Sequence, residues 1–550
     1  EASVEAAVME QPSDRLFCCQ WVRDRLPPTN REELYNILKM TGPLMLSRIF
    51  IFLLPLVVTI FCGRLGNEVI AGYGLAYSVL SITIICPGYG FGLACDTLMS
   101  QTFGSQNLKR VGVILQRGIL ILFLFCIPCW GFLINSEAIL LCMSQDREVA
   151  RIAQVYINAF LPAIPIFFLY NLQVSYLQNQ GIILPQVYTA ALAAIAEVAT
   201  NYIFIYPLDL GVIGSAAANA LTHVYLCSFL AAFIWWKKLH KATWGGWSTE
   251  SLQEWGSFMK LGIPSAVMFT LEGLVYNLGS VLAGTLQLVQ KHIDHILTTI
   301  LTSQVPLGIQ TATCVRVGNA LGAGDTDRAI VISKMSLYLA GTVGVLLGTS
   351  VLSVKSVLGY MFTSDENIVG LMSHVFTMFS LLQLFDSIVC VCKGVFLGVG
   401  KQKIPAVVNL VSYYLIGLTL GLVFMFIVEL GVFGFWLGLV LCTVLQVPFF
   451  IFVIFKKLNW KTLTKEAVER ARTKAQTAMI QENQTTNHGN VSWNRFSFKS
   501  EDGQLSVGYR DPSVGYLSTP QLVLRRGLVL LVVVGLLAAG VIVHFLVPLP

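Results

Sequence analysis

Five carboxylic acids interrupt long apolar runs in this chain: Asp96, Glu197, Glu272, Asp294 and Asp386. An ionisable side chain in such a setting is expensive to keep and marks function by default. A low dielectric favours the neutral form of an acid. A buried carboxyl can therefore hold a proton in one state and a positively charged ligand in another. Glu272 sits in "IPSAVMFTLEGLVYNLGS", with Tyr276 one turn later on the same helix face. An acid beside an aromatic ring suits a flat organic cation, through charge pairing and cation–π contact. Asp386 sits in "LLQLFDSIVCVCKGVFLGVG", with Gln383 three residues earlier and placed to orient it. Glu272 and Asp386 are the expected proton- and cation-binding residues. Asn201, Tyr202, Asn277, Asn409 and Tyr413 are expected to line the same cleft as hydrogen-bonding partners.

The remaining charges read differently. Arg48 in "GPLMLSRIFIFLLPL" and Glu197 in "AALAAIAEVATNYIF" lie at similar depth in their helices. Opposite charges at equal depth neutralise each other, so a structural ion pair is expected between them. Asp96 is expected to cap or hydrogen-bond near a helix end. His292, Asp294 and His295 crowd one helix terminus beside Lys291. They form either a pH-sensitive cluster or a solvated loop end. That group is also the single constellation an embedded enzyme would use, and an enzyme is not expected. Cys126 and Cys129 form a CxxC inside an apolar run without polar ligands nearby, so neither a metal site nor a cofactor is expected.

The elements that must position these residues follow from composition. Of 550 residues, 12% are charged and 55% hydrophobic, with mean hydropathy +0.70. That is too little polar surface to cover so much apolar volume in water, so lipid is the solvent for most of the chain. Six spans are expected in an N-lobe at 38–236 and six in a C-lobe at 258–455, joined by a linker at 237–257. Residues 1–37 form a polar N-terminal segment with no cleavable leader expected. Residues 456–522 form a tail, largely disordered, with a basic helix expected at its start against the inner leaflet. Residues 523–547 form a thirteenth span.

Lys and Arg set the orientation. Loops after even-numbered spans carry Lys109, Arg110, Arg117, Lys237, Lys238, Lys241, Lys260, Arg316, Arg328, Lys334, Lys393, Lys401 and Lys403, against Arg64, Arg147, Arg151, Lys291 and Lys355 after odd ones. The N-terminus, the linker and the tail are therefore expected in the cytoplasm and the C-terminus outside. The net charge of +6 is accounted for by this topology, without nucleic acid as a partner. The sequons at Asn483 and Asn490 are expected to stay unglycosylated.

The chain also repeats itself. "SQTFGSQNLKRVGVILQRG" at 100–118 matches "VRVGNALGAGDTDRAIVISKM" at 315–335. "TGPLMLS" (41–47) meets "GIPSAVM" (262–268), "YLQNQGIILPQ" (176–186) meets "VFLGVGKQKIPA" (395–406), and "LDLGVIGSA" (208–216) meets "VELGVFGFW" (428–436). The spacing stays near 218 to 221 residues throughout. Each half holds an even number of spans, so the halves are parallel repeats about an axis along the membrane normal. The fold class expected is an all-α membrane protein of two six-helix bundles so related, plus the thirteenth helix.

The duplication, with "CDTLMSQTFGSQNLKRVGVILQRG" (95–118), "ATWGGWS" (242–248), "VRVGNALGAGD" (315–325) and "NLVSYYLIGL" (409–418), resembles the multidrug and toxin extrusion (MATE) transporters. The thirteenth span and long tail resemble their vertebrate branch. The resemblance implies a plasma-membrane antiporter, expected to be monomeric, that expels organic cations in exchange for protons by alternating access. The proton gradient is its energy source, and no cofactor is implied. It also implies acids at Glu272 and Asp386, the latter an Asp where a Glu is commoner. Three positions depart from the pattern: Gly273 stands where a Trp is typical, Asn277 where a second Glu is typical, and Leu297 where a span-eight acid is typical. Those departures leave open a degenerate paralogue with reduced or altered transport.

Overall fold

The computed structural model describes residues 27–284, 304–358, 366–472 and 518–546. The described residues are helical, without a strand. The N-lobe comprises α1 (Pro28–Leu65), α2 (Asn67–Gly104), α3 (Leu108–Leu133), the short α4 (Ser136–Cys142), α5 (Arg147–Asn179), α6 (Leu184–Ile205) and α7 (Gly211–Trp236). The C-lobe comprises α8 (Trp255–Gly284), α9 (Gln304–Gly322), α10 (Thr326–Leu358), α11 (Glu366–Val399), α12 (Lys403–Ile427) and α13 (Gly431–Phe452), the last running on as a wider turn over Val453–Lys457. Beyond them lie α14 (Trp460–Ala471) and α15 (Thr519–Leu546). Twelve of the described helices are long and apolar enough to cross a membrane. A chain in lipid must satisfy its backbone within each span, which is why helices carry the whole fold.

The helices run past the apolar stretches that announce them. α1 begins at Pro28 rather than near 38. Hydropathy reads the lipid-immersed part alone, while the polar ends continue as helix because they pack on neighbouring helices. Local signals still fix some ends: Asp146 accepts from the amides of Glu148 and Val149 at 2.9 and 3.2 Å to start α5.

The internal duplication is written into the turns. Gly181 and Gly400 end α5 and α11 with φ of 76° and 78°, each shortly before a proline. Asp209 and Gly211 (49°, 51°) match Glu429 and Gly431 (60°, 57°), and Gln106 (62°) matches Gly324 (84°). Left-handed backbone is sparse for L-residues. Its recurrence at the same repeat positions shows two halves built on one plan.

The lobes meet along α2, which packs against α8 and α9, while α1 packs against α9. Small residues permit the approach. A Cβ on Gly90 would fall 2.4 Å from Ala266 Cα, one on Gly104 2.1 Å from the Asn319 carbonyl oxygen, and one on Gly322 1.9 Å from that of Gln101. Side chains then cross the seam. Thr97 Oγ1 donates to the Leu397 carbonyl at 2.9 Å, and Gln101 Nε2 to that of Gly398 at 2.8 Å.

α14 lies on this end of the bundle. Trp460, Leu463, Ala467 and Ala471 are buried, and the helix contacts α2, α9 and α10. A basic helix on the leaflet, as the composition suggests, is therefore not what forms over these residues: an apolar stripe docks α14 on protein. Arg470 Nη1 donates to Gln101 Oε1 at 3.0 Å and its Nη2 to the Val399 carbonyl at 3.3 Å, one lobe each. Glu33 on α1 bridges likewise, pairing with Arg316 on α9 and with Arg328 on α10 at 2.7 Å.

α15 packs on α3 beside the N-lobe. Arg526 donates to the Leu252 carbonyl through Nη2 at 2.8 Å and lies over the Trp255 ring. Near its other end Gly540 presses on Gly131, and Asn135 Nδ2 donates to the Gly540 carbonyl at 2.9 Å. α15 thus runs parallel to α3.

Gly322→Val tests the seam, because its added methyls have no space opposite Gln101. Overpacking costs about 1–3 kcal/mol. The strain is relieved when the lobes part, so Ser100→Cys, buried in the parent, should react several-fold faster with maleimide in the Gly322→Val background. Unchanged labelling would contradict a seam held by close backbone approach.

Candidate functional site

The C-lobe gathers a charged group inside its helical core. Glu272 projects from α8 and meets Lys393 of α11, whose Nζ donates to Glu272 Oε2 at 2.6 Å. Asn409 of α12 donates to the same oxygen through Nδ2 at 3.3 Å. The Lys393 side chain is 2% exposed and that of Glu272 21%. Lys393 Nζ also lies 5.8 Å from the Tyr413 ring centroid.

Asp386 stands seven residues before Lys393 on the same face of α11, about 10 Å along the axis. It is half-buried, and its Oδ1 is enclosed without a hydrogen-bond partner. Gln383 does not orient it: the Gln383 amide donates to Ser387 Oγ at 3.2 Å instead. Four residues along a helix leave that hydroxyl within reach, so the amide turns along its own helix.

Aromatic side chains close one side. Tyr276 packs at 6.4 Å from both Tyr413 and Trp436, and Phe379 sits 4.4 Å from Trp436. Asn277 Nδ2 donates to the Gly273 carbonyl at 2.7 Å on its own helix. Gly273 has a clear packing role: a Cβ there would fall 2.7 Å from Cys86 Sγ on α2. A large side chain at this position would force α8 off the opposite lobe.

Lys393 is the residue that sequence reading misplaced. Its place after an even-numbered span suggests a loop cation that sets orientation, whereas it lies within α11 and is buried against an acid. The signal was present, since "CVCKGVF" is too apolar around the lysine for a loop.

The expected pair of Arg48 and Glu197 does not form. Arg48 Nη2 donates to Tyr89 Oη at 2.8 Å and to Thr311 Oγ1 at 3.2 Å, the second across the lobe seam. The carboxylate within electrostatic range of Arg48 is that of Asp96, which accepts from Ser175 and, at 2.7 Å, from Asn179 Nδ2. Glu197 is fully buried in the N-lobe, beside Thr222 and not paired with Arg48. Equal depth was a correct constraint, but helix rotation turns the two side chains to different neighbours.

Two further residues leave the cleft. Asn201 is wholly buried and donates to the Glu197 carbonyl, while Tyr202 is exposed and rests on Tyr206. His292, Asp294, His295 and Leu297 lie outside the described residues, as do Asn483 and Asn490. Cys126 and Cys129 are buried free thiols, with Cys126 donating to the Leu122 carbonyl.

With this geometry in view, comparison with known proteins assigns the chain. The MatE family profile matches residues 43–203 and 292–423. Multidrug and toxin extrusion protein 1 of Danio rerio is 43% identical over 98% of this chain and 95% of its own length. The chain belongs to the MATE family. Multidrug and toxin extrusion protein 1 of Homo sapiens is 41% identical over 94% of each chain. The crystal structure of the eukaryotic MATE transporter AtDTX14 superposes with a TM-score of 0.76 at 25% identity, covering 81% of this chain and all of that one. MATE proteins are transporters and not enzymes, and this one is an all-helical multi-pass membrane protein whose family points to drug and cation efflux.

Removing one member of a buried ion pair strands the other, at a cost of about 3–5 kcal/mol. Lys393→Ala should therefore lower the unfolding temperature in detergent markedly, and adding Glu272→Gln should restore most of it. The same cycle on Arg48→Ala and Glu197→Ala should be additive to within about 0.5 kcal/mol, because the two do not touch.

Proposed function

We propose that this MATE-family protein is a proton-driven antiporter of organic cations, working by alternating access at the Glu272–Asp386 group. The observation that carries the reading is that group itself: two carboxylates beside Tyr276, Tyr413 and Trp436 within the C-lobe core. An acid that binds either a proton or an aromatic-stacked cation couples the two ligands by exclusion. The chain's relatives carry the name multidrug and toxin extrusion, which supports small organic substrates for this chain as well.

The seam supports the alternating part of the cycle. Arg110, Arg316, Arg328 and Arg470 cluster at the end where α2 meets α9 and α14. Excess Arg and Lys mark the cytoplasmic side. On that orientation the plasma-membrane protein is held shut toward the cytoplasm, with its N-terminus inside and α15 ending outside. Export requires the Glu33 and Arg470 bridges to break and re-form in each cycle.

A second reading is a paralogue with reduced transport, favoured by Lys393, a cation already seated on Glu272. Purified protein in liposomes with an acidic lumen separates the two. Tetraethylammonium should accumulate against its gradient and collapse with a protonophore, and Asp386→Asn should fall to the rate of empty liposomes. Wild-type uptake at that empty rate would favour the second reading.

The gate has its own test. Glu33→Gln weakens the bridge to Arg316 and Arg328, so the inward-open population should rise. Faster maleimide labelling of Ser100→Cys from the cytoplasmic side would register it, and unchanged labelling would discount the bridge.

A further inference from the structure

Lys393 has a role that the acids alone do not predict. Its ammonium is 2% exposed and bonded at 2.6 Å to Glu272, which also receives Asn409. Glu272 therefore has two donors on one oxygen, whereas Asp386 has an enclosed Oδ1 that nothing satisfies. An ionised carboxylate left so in a medium of low dielectric is costly, and it is relieved by a proton or an incoming cation. A carboxylate already held by a buried ammonium has no such need. The titratable groups within electrostatic range of Asp386 are Glu272 and Tyr276 from α8, Cys390 and Lys393 from its own helix, Tyr413 from α12 and Cys442 from α13. Lys393 is the one cation among them.

We infer that Lys393 is a resident counter-ion that keeps Glu272 ionised and out of exchange, leaving Asp386 as the exchanging carboxylate. With all three groups charged, the site carries one net negative charge. It takes one proton or one monocation per turn, and it disfavours dications, which would meet the Lys393 ammonium with their second charge. Glu272 becomes a positioning residue: it fixes Lys393 beneath Tyr413 and so sets the field that Asp386 feels. This deepens the proposed antiport without depending on transport for its test.

The test reads protonation directly. Infrared difference spectra between acidic and basic pH, on the full chain in lipid nanodiscs, report the carbonyl stretch of each protonated carboxyl. Asp96 and Glu197 contribute equally in every variant, so differences isolate the C-lobe acids. Asp386→Asn should remove one component, Glu272→Gln should keep that component while moving its midpoint to lower pH, and Lys393→Met should add one. A component lost in Glu272→Gln, in both acid variants or in neither would overturn the inference. Should Lys393→Met fail to fold, the two acid variants decide the matter alone. Tetraethylammonium should erase the Asp386 component, and an equimolar bis-quaternary dication should need at least tenfold more to do so. If neither cation moves a correctly assigned component, the antiport reading fails while the resident counter-ion stands. If the dication erases it as readily as the monocation, the charge rule is overturned.

Discussion

The ion pair of Lys393 with Glu272 is the contact around which the C-lobe is arranged. A charge without water must bring its partner with it, and these two come from helices 121 residues apart in the chain. Asn409 adds a third helix to the same oxygen. The pair therefore fastens α8, α11 and α12 together within the C-lobe core. Beside it the rings of Tyr276, Tyr413, Phe379 and Trp436 pack on one another, and such apolar surroundings strengthen the electrostatics of the pair.

The two lobes differ in how they spend polarity. The N-lobe places Arg48 at the seam, bonded to Tyr89 and across to Thr311, and holds Asp96 in a net of Ser175 and Asn179. The C-lobe places an acid pair and one lysine in its interior. Equal backbone plans, with matched left-handed turns at Gly181 and Gly400, thus carry unequal chemistry. Duplication supplied the frame, and the buried lysine–glutamate pair belongs to one half.

The seam has a different physical basis from either core. Close approach at Gly90, Gly104, Gly318 and Gly322 gives contact area without interlocking side chains. The polar bonds across it, such as Thr97 to Leu397 and Gln101 to Gly398, go to backbone carbonyls near a helix end. Such an interface is tight without burying side chains that only one partner could satisfy, since water can replace each of these bonds. Charge bridges through Glu33 and Arg470 add a second layer outside the apolar slab.

Composition and hydropathy determined the membrane setting, and the near-constant repeat offset determined the two-lobe plan, because both are linear properties of the chain. Glu272 and Asp386 were also legible, since an acid in an apolar run is rare enough to stand out. Pairing was not legible. Depth along a helix can be read from the sequence, but the rotation of one helix against another cannot. Arg48 and Glu197 share a depth and yet face apart, while Lys393 looked like a loop cation and proved to be the partner of Glu272. The docking of α14 by Trp460 and Leu463 likewise depended on a surface that only the assembled lobes present. Side-chain partners are chosen by tertiary packing, because a long flexible lysine or arginine satisfies its charge with whichever neighbour the helix packing brings within about 3 Å.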